Sequence, residues 1–272
     1  MLTNRLIACF DVRNGMVTKA HQFNDNFDID TAINMAKKVY QLQVDEVVFY
    51  DITASIEKRK INIDTIREVA KYLFVPFTVG GGIESLEDMY EVLKAGAEKI
   101  SLDSMAVRNP SLISDGAKAF GRQCVVSSMQ VKRVGKSITI PSGYEIFIDG
   151  AKVATGLDAI DWSRRVEDLG AGEICINSVD MDGTHKGFDL EITSQISDIV
   201  NVPVIASGGG GHPNHVVELF TKTSAMAAII SSLLYSPRLA RNYSIQEIKE
   251  AMAASDIPIR KIVNCSVEKN KP

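Results

Sequence analysis

Residues 46–52, EVVFYDI, form a short and almost continuous apolar run of the kind that builds a buried parallel strand. Similar runs rich in Val and Ile recur along the chain, at residues 6–12, 76–81, 99–103, 124–130, 173–179, 203–208 and 227–232. Helical patterns follow most of them. Eight such strand–helix units in about 250 residues are typical of a (β/α)8 TIM barrel, an α/β fold, rather than of an open doubly wound sheet.

The chain also repeats itself at half of its length. VPFTVGGGI (75–83) matches VPVIASGGG (202–210), and DEVVFYDI (45–52) matches GEICINSV (172–179). Both matches are offset by 127 residues (202 − 75 and 172 − 45). A period this long excludes a solenoid and predicts two half-barrel repeats of four strands each, with Asp11 and Gln130 at matching strand ends.

Local signals support the helices and reveal one insertion. Ser85 with Asp88, and Ser244 with Glu247, have the spacing of a capping box, and Pro110 suits the first position of a helix. After strand five, YEIFIDGAKVAT alternates between apolar and polar residues around an Asp-Gly pair, which predicts an inserted β-hairpin. We predict one barrel domain over residues 1–258 and a C-terminal tail over 259–272.

Composition excludes several classes of protein. The chain has 272 residues, 45% of them hydrophobic, and a net charge of −4, which gives no reason to expect nucleic-acid binding. No apolar stretch approaches the roughly 20 residues that span a bilayer, and the N-terminus lacks the cleavage site of a signal peptide. The four cysteines show no C-x-x-C spacing, so free thiols in a reducing cytoplasm are expected, without a metal.

The residues that could carry chemistry fall where the predicted strands end. In a (β/α)8 barrel these carboxyl ends form the active-site face. The candidates there are Asp11, Asp51, Gln130, Asn177 and Ser207. Two related glycine-rich turns, VGGGIES and ASGGGGH, end strands three and seven, where glycines let the backbone approach an anion. Two such turns favour a substrate with two phosphates, although either turn alone could be merely tight.

Asp11 and Lys19 each have an alternative structural interpretation. Asp11 could cap a turn, but its position opposite phosphate-type loops favours general acid–base work. Lys19, expected in a loop after strand one, could be solvated surface or an electrostatic lid residue. His212 and His215 lie at the start of a helix and are interpreted as polar surface rather than as a metal-ligand pair.

A family resemblance rests on six segments taken together. They are ACFDVRNGMVTK (8–19), VVFYDITAS (47–55), PFTVGGGIESLED (76–88), KISLDSMAVRNP (99–110), LGAGEICINSVDMDGT (169–184) and NVPVIASGGGG (201–211). The chain resembles the cyclase subunit of imidazole-glycerol-phosphate synthase up to about residue 258. The resemblance implies a cofactor-free enzyme of histidine biosynthesis that receives ammonia from a glutaminase docked on the N-terminal barrel face. At the opposite face, a phosphoribulosyl formimino aminoimidazole carboxamide ribotide would be cleaved and closed to imidazole glycerol phosphate.

The resemblance also implies roles for individual residues. Asp11 would be one of two catalytic carboxylates and Lys19 a mobile-loop lysine. The substrate would be bound by Asp51, Gly82, Asp103, Ser104, Asn177, Asp182, Gly183, Ser207, Gly208, Gly209, Ser231 and Ser232. Gly82 and Ser104 would hold one phosphate, and Gly183, Gly209 and Ser232 would hold the other. A gate for ammonia at the bottom of the barrel would comprise four charges of alternating sign from one alternating set of strands: Arg5, Glu46, Lys99 and Glu173.

Two positions depart from the family pattern. Gln130 stands where the second catalytic carboxylate is expected, and Asp103 replaces the family's Asn beside a phosphate. A glutamine cannot exchange a proton near neutral pH. Three interpretations therefore stay open: the cyclase, with Asp11 doing most of the work; a diverged paralogue that docks a glutaminase and conveys ammonia to another acceptor, such as a surface-sugar amidating enzyme; and a plain phosphate-binding barrel.

Overall fold

The computed structural model describes residues 2–21, 24–54, 57 and 59–261. Within them the strands are β1 (Arg5–Arg13), β2 (Met16–His21), β3 (Asn24–Thr31), β4 (Glu46–Asp51), β5 (Phe77–Gly80), β6 (Lys99–Leu102), β7 (Val125–Arg133), β8 (Tyr144–Ile148), β9 (Val153–Asp158), β10 (Glu173–Ser178), β11 (Val204–Ser207) and β12 (Ala227–Ile229). The helices are α1 (Ala32–Gln41), α2 (Ile63–Ala70), α3 (Leu86–Lys94), α4 (Ser104–Arg108), α5 (Ser111–Phe120), α6 (Ala159–Asp168), α7 (Leu190–Ser197), α8 (Pro213–Lys222), α9 (Ser231–Tyr235) and α10 (Ile245–Ala253).

The strands β1, β4, β5, β6, β7, β10, β11 and β12 form a closed parallel barrel, which confirms the predicted (β/α)8 fold. The barrel closes where β1 pairs in parallel with β12, Ile7 opposite Ile229. Pairing of β7 with β10 joins the first and second strands of the second half. The interior holds a small apolar cluster from alternating strand positions, and a larger cluster fills the space between the strands and the helices.

The predicted half-barrel repeat is visible in the strand register. Asp11 of β1 lies opposite Tyr50 of β4, and Gln130 of β7 lies opposite Asn177 of β10. Tyr50 and Asn177 are equivalent positions in the two matching sequence segments. Asp11 and Gln130 therefore occupy the same place in the two halves of the barrel.

Each half also carries an antiparallel hairpin after its first strand. The predicted hairpin after strand five is confirmed as β8 and β9, and its turn has positive φ angles of 58° at Asp149 and 67° at Gly150. A second hairpin, β2 and β3, was not predicted, although the Asn14-Gly15 pair that turns β1 into β2 is a strong hairpin signal. Lys19 lies on β2, so its expected position in a loop is wrong.

The helix starts follow the predicted signals with small differences. Ser244 and Glu247 form a complete capping box at α10, whereas the Ser85 side chain accepts a hydrogen bond from the Asp88 backbone N–H. Pro110 precedes the first helical residue of α5 as its N-cap rather than occupying that first position. In the described part of the chain, no helix is long and apolar enough to cross a membrane.

The predicted boundary between barrel and tail stays a prediction. Ile259 forms a bridge to Asn4, and the Arg260 guanidinium donates to the carbonyl of Val44 at 3.0 Å. The first residues assigned to the tail therefore contact the barrel. Residues 262–272 of the predicted tail lie outside the described residues.

Candidate active site

A cavity of 310 Å³ opens at the carboxyl ends of the barrel strands. Nearly all of the predicted site residues line it: Asp11, Lys19, Asp51, Gly82, Asp103, Ser104, Gln130, Asn177, Asp182, Ser207, Gly208, Gly209, Ser231 and Ser232. Gly183, which follows Asp182, is not among the lining residues. The tip of the β8–β9 hairpin adds Asp149, Gly150 and Lys152, which sequence reasoning did not include. The Asp-Gly turn was recognised, but nothing in the sequence placed it over the cavity.

Asp11 and Lys19 form an ion pair at one side of the cavity. The Lys19 Nζ lies 2.6 Å from Asp11 Oδ2, and the Lys19 side chain is only 12% exposed. Burial alone lowers the pKa of Lys19, but attraction to Asp11 outweighs it and holds this pKa above its ordinary value. Lys19 is therefore a protonated cation beside Asp11, also 5.8 Å from the centre of the Tyr235 ring. The unpredicted hairpin β2–β3 is what brings this cation to the end of β1.

Asp51 is held by an arginine that the sequence did not single out. Arg59 Nη1 donates to Asp51 Oδ2 at 2.7 Å, and Arg59 Nη2 donates to Oδ1 at 2.8 Å. The backbone N–H of Ala54 donates to the same Oδ1 at 3.1 Å. A bidentate guanidinium leaves this carboxylate well satisfied, so Asp51 anchors the loop after β4 and shapes the cavity wall.

Ser231 and Asn177 also use their polar groups within the protein. The Cys9 backbone N–H donates to Ser231 Oγ at 2.6 Å, and this hydroxyl donates in turn to the Cys9 carbonyl at 3.1 Å. Asn177 Nδ2 donates to Ser128 Oγ at 2.8 Å. The Ser231 bonds tie the first strand, two residues before Asp11, to the last βα turn. The Asn177 bond ties β10 to β7.

Gln130 and Asp103 are hydrogen-bonded to each other at the other side of the cavity. Gln130 is buried, and its Nε2 donates to Asp103 Oδ2 at 2.8 Å. The backbone N–H of Ala151, at the tip of the β8–β9 hairpin, donates to Gln130 Oε1. Ser104 Oγ lies 3.5 Å from Asp103 Oδ1 and accepts a hydrogen bond from the Asp149 N–H at 3.0 Å.

The two glycine-rich turns approach neighbouring backbone so closely that no side chain fits. A Cβ on Gly209 would lie 1.9 Å from the carbonyl oxygen of Gly187, and the φ of Gly209 is +95°. Gly82, in the other turn, has a φ of +66°, and its Cβ would lie 2.7 Å from the Ala54 Cβ. Both turns line the cavity, in the kind of close backbone geometry that anion sites use.

We expect Gly209→Ala to lower the free energy of unfolding by about 3 kcal/mol, because backbone strain and a steric clash combine there. Gly156→Ala is the matched control: its φ is +73° and a Cβ there would meet nothing within 4 Å. The control is expected to cost only about 1 kcal/mol. Urea unfolding of both variants measures the difference, and equal losses would contradict a clash at Gly209.

A ring of four charged side chains lies at the opposite end of the barrel, where the strands begin. Arg5 Nη1 lies 2.7 Å from Glu46 Oε2 and 2.9 Å from Glu173 Oε1. Lys99 Nζ lies 2.9 Å from Glu46 Oε1 and 3.1 Å from Glu173 Oε2. The charges alternate in sign as predicted. They come from the first, second, fourth and sixth barrel strands, however, so their assignment to one alternating set of strands is wrong.

The space between this ring and the cavity is mainly apolar, with the buried hydroxyls of Thr78, Ser101 and Ser128 bonded to its charged and polar ends. Ile7, Cys9, Val48, Val126 and Cys175 form part of the buried cluster inside the barrel. Among the described residues, no group of three or more His, Cys, Asp or Glu side chains is arranged to hold a metal ion. A mainly apolar interior thus separates the charged end of the barrel from the polar cavity at the other end.

Comparison with known proteins matches residues 5–240 to a family model described as histidine biosynthesis protein. The chain belongs to this histidine biosynthesis family. It is 53% identical over 260 residues to the imidazole glycerol phosphate synthase subunit HisF of Desulfatibacillum aliphaticivorans, covering 96% of this chain and 98% of that one. The subunit HisF of Solidesulfovibrio magneticus is 51% identical over 262 residues, covering 96% and 100%. That of Syntrophobacter fumaroxidans is 50% identical over 261 residues, covering 96% and 99%.

Membership of the histidine biosynthesis family agrees with the resemblance drawn from the six sequence segments. The matched residues include every strand of the barrel and the cavity at its carboxyl end. The similarity also extends over almost the full length of each of these relatives.

Proposed function

We propose that the chain is the cyclase subunit of imidazole glycerol phosphate synthase, a lyase-type enzyme of histidine biosynthesis. The observation that carries this proposal is one cavity that combines an acidic side chain, Asp11, with two glycine-rich turns, in a chain similar along its length to subunits of that name. The substrate is a ribulosyl aminoimidazole compound with a phosphate at each end, and ammonia is the second reactant.

The cavity suits this chemistry. The turn containing Gly82 and the side chain of Ser104 lie on one side, and Gly208, Gly209 and Ser232 lie on the other, so each phosphate has its own backbone cradle. The reacting centre then lies between them, within reach of Asp11. A carboxylate can remove a proton from nitrogen as ammonia adds to the ribulosyl carbonyl, while Lys19 offsets the negative charge that the phosphates bring.

We place the glutaminase partner at the end of the barrel where the strands begin. Three apolar side chains in segments at this end are exposed: Leu2 at 79%, Leu42 at 40% and Phe74 at 76%. Exposed apolar side chains that lie near one another on a protein surface are typical of a protein–protein interface. Ammonia released there would pass the ring of Arg5, Glu46, Lys99 and Glu173 and the mainly apolar interior before it reaches the cavity.

The decisive experiment measures imidazole glycerol phosphate formed by the purified chain from the phosphoribulosyl substrate and ammonium salts. Turnover that depends on both reactants is expected. Product formation no faster than in a reaction without protein would refute the cyclase activity. The same preparation is then assayed with glutamine and a purified glutaminase subunit, which tests the proposed partnership separately.

Lys99→Met is expected to uncouple glutamine from cyclisation. The substitution removes two of the four ion pairs of the ring and leaves Arg5 as the cation of the ring that pairs with both glutamates. Glutamine-dependent product formation should fall about tenfold relative to the ammonium-dependent rate, because added ammonia can reach the cavity from its open side.

Lys222→Met is the control, since Lys222 pairs with Glu218 on the exposed face of α8. It should leave the ratio of the two rates unchanged. If Lys99→Met leaves the ratio unchanged as well, the ring does not control the passage of ammonia.

Gln130 in place of a carboxylate is the observation that favours the second candidate function, the diverged paralogue. That hypothesis requires a stable complex with a glutaminase and ammonia delivery to another acceptor, without cyclisation. The quoted relatives all carry the synthase name and give it no separate support. Glutaminase stimulation by this chain in the absence of any cyclase product would favour the paralogue.

A further inference from the structure

The hydrogen bond between Gln130 and Asp103 joins an amide and a carboxylate at the position that matches Asp11 in the other half of the barrel. The orientation of the amide is fixed, because the Ala151 backbone N–H can only donate and therefore selects Gln130 Oε1. Gln130 Nε2 must then point to Asp103, and it donates to Oδ2 at 2.8 Å. The carboxylate missing from position 130 is thus present one hydrogen bond away, at the end of the neighbouring strand β6.

We propose that Asp103 is the second acid–base group of the site and that Gln130 is its positioning residue. This assignment rests on the proposed cyclase function and assigns to Asp103 a role other than binding phosphate. Asp103 and Asp11 both line the cavity. The Gln130 amide donates a hydrogen bond to one carboxylate oxygen of Asp103 and so holds it in place. An amide in this place orients the acid without being able to take its proton.

The two acids have different surroundings, as expected if one of them accepts a proton and the other donates one. Asp11 contacts the Lys19 ammonium, while Asp103 is bonded to a neutral amide. Removal from water raises the pKa of Asp103 to about 7, although the hydrogen bonds from Gln130 and Ser104 act in the opposite direction. A carboxyl group with this pKa is substantially protonated at neutral pH and can donate a proton.

The charged groups around Asp103 come from several elements. Asp149 of the β8–β9 hairpin raises its pKa and Arg108 of α4 lowers it, and these two side chains form an ion pair with each other. Lys152 of the same hairpin lines the cavity, and the buried thiol of Cys175 lies on β10. The neighbouring charges of Asp149 and Arg108 thus act in opposite directions, and removal from water is the largest influence on Asp103.

This arrangement balances the protons of the first chemical step. As ammonia adds to the ribulosyl carbonyl, the Asp11 carboxylate accepts a proton from nitrogen. Protonated Asp103 gives its proton to the carbonyl oxygen, which yields a carbinolamine. Asp11 then returns its proton to the new hydroxyl group, which leaves as water while the nitrogen lone pair forms a protonated imine. The oxygen thus receives two protons, one from each acid; Asp11 ends as a carboxylate again, and Asp103 regains its proton from solvent. A neutral Asp103 also avoids repulsion with a phosphate bound beside Ser104.

Three variants test the assignment. The first is Asp103→Asn, and the second combines Asp103→Asn with Gln130→Glu, so that the acid and the amide change places. The control is Asp161→Asn, because the Asp161 side chain on α6 is 72% exposed. Asp103→Asn is expected to lower kcat about 10²–10⁴-fold with little change in KM. The exchange variant should recover at least about tenfold of that loss, because it returns a carboxylate to the same hydrogen bond. Asp161→Asn should match the parent protein.

The pH profile separates acid catalysis from phosphate binding. In the parent protein kcat should fall as the pH rises through about 7, since only protonated Asp103 donates. This limb should be absent from the residual activity of Asp103→Asn. A raised KM with unchanged kcat in that variant would overturn the proposal and leave Asp103 a binding residue.

A measurement without turnover distinguishes failure of this assignment from failure of the cyclase function. Carbon NMR of the aspartate carboxyl groups should show one signal that titrates near pH 7 and disappears in Asp103→Asn. If the parent makes no product, the cyclase function fails. The acid assignment is overturned if the Asp103 signal titrates near 4, the ordinary range of an aspartate.

Discussion

Asp11→Asn is expected to lower kcat for imidazole glycerol phosphate about 10²–10⁴-fold, in the assay with ammonium salts. The substitution keeps the shape of the side chain but removes its ability to accept a proton. KM should change little, because the glycine-rich turns that hold the phosphates are untouched. The Lys19 ammonium, 2.6 Å away in the parent protein, loses its charged partner, so the variant should also bind the anionic substrate at least as well.

Asp161→Asn again serves as the matched control, and thermal unfolding of Asp11→Asn checks that the barrel is intact. Loss of activity together with a much lower melting temperature would point to a structural role for Asp11. Retention of kcat within about twofold would remove Asp11 from acid–base work altogether.

Asp45→Asn is expected to lower the free energy of unfolding by about 3–5 kcal/mol. Asp45 Oδ1 lies 2.8 Å from Lys249 Nζ and 3.0 Å from Arg260 Nε, and Oδ2 accepts the Leu6 backbone N–H at 2.9 Å. The Lys249 side chain is only 2% exposed, so loss of the carboxylate leaves a buried ammonium without its counter-charge. Urea unfolding measures the loss.

The exposed pair of Asp64 and Arg67 provides the comparison, because Asp64→Asn makes the same chemical change where the side chain is 88% exposed. Its expected cost is below about 1 kcal/mol. Adding Lys249→Met to Asp45→Asn should restore part of the stability, since it removes the buried charge. Equal losses for Asp45→Asn and Asp64→Asn would show that the Lys249 ion pair contributes little.

The barrel could be predicted because its evidence is local and repeated. A run such as EVVFYDI is apolar on both faces, so it specifies a covered strand wherever it lies. The hairpin after β7 was found from its alternation, but the one after β1 was not. NDNFDIDT of β3 has a weakly apolar sequence, and β2 and β3 pair with each other outside the eight barrel strands. The half-barrel repeat offered the missing signal, because both halves extend their first strand into a hairpin.

The candidate site was predictable in position but not in its internal partners. Strand ends meet at one face of any barrel, so Asp11 and Gln130 could be placed there from sequence. The bond between Gln130 and Asp103 depends on the relative position of β6 and β7 and on the Ala151 N–H from the hairpin tip. The bidentate hold of Arg59 on Asp51 depends in the same way on how the loop after β4 folds back. Neither contact has a periodic signature in the chain.

Because the pairing of β1 with β12 closes the barrel, the barrel cannot be completed until β12 has left the ribosome. The Cys9 backbone bonds to Ser231 across 222 positions in sequence, beside the last strand pair of the barrel. At about 5–20 residues per second, roughly ten seconds or more of synthesis separate the two partners. Throughout that interval one edge of β1 is unpaired and open to other nascent chains. Translation that halts before residue 227 therefore yields a product with an open sheet edge and without the Ser231 bonds to Cys9.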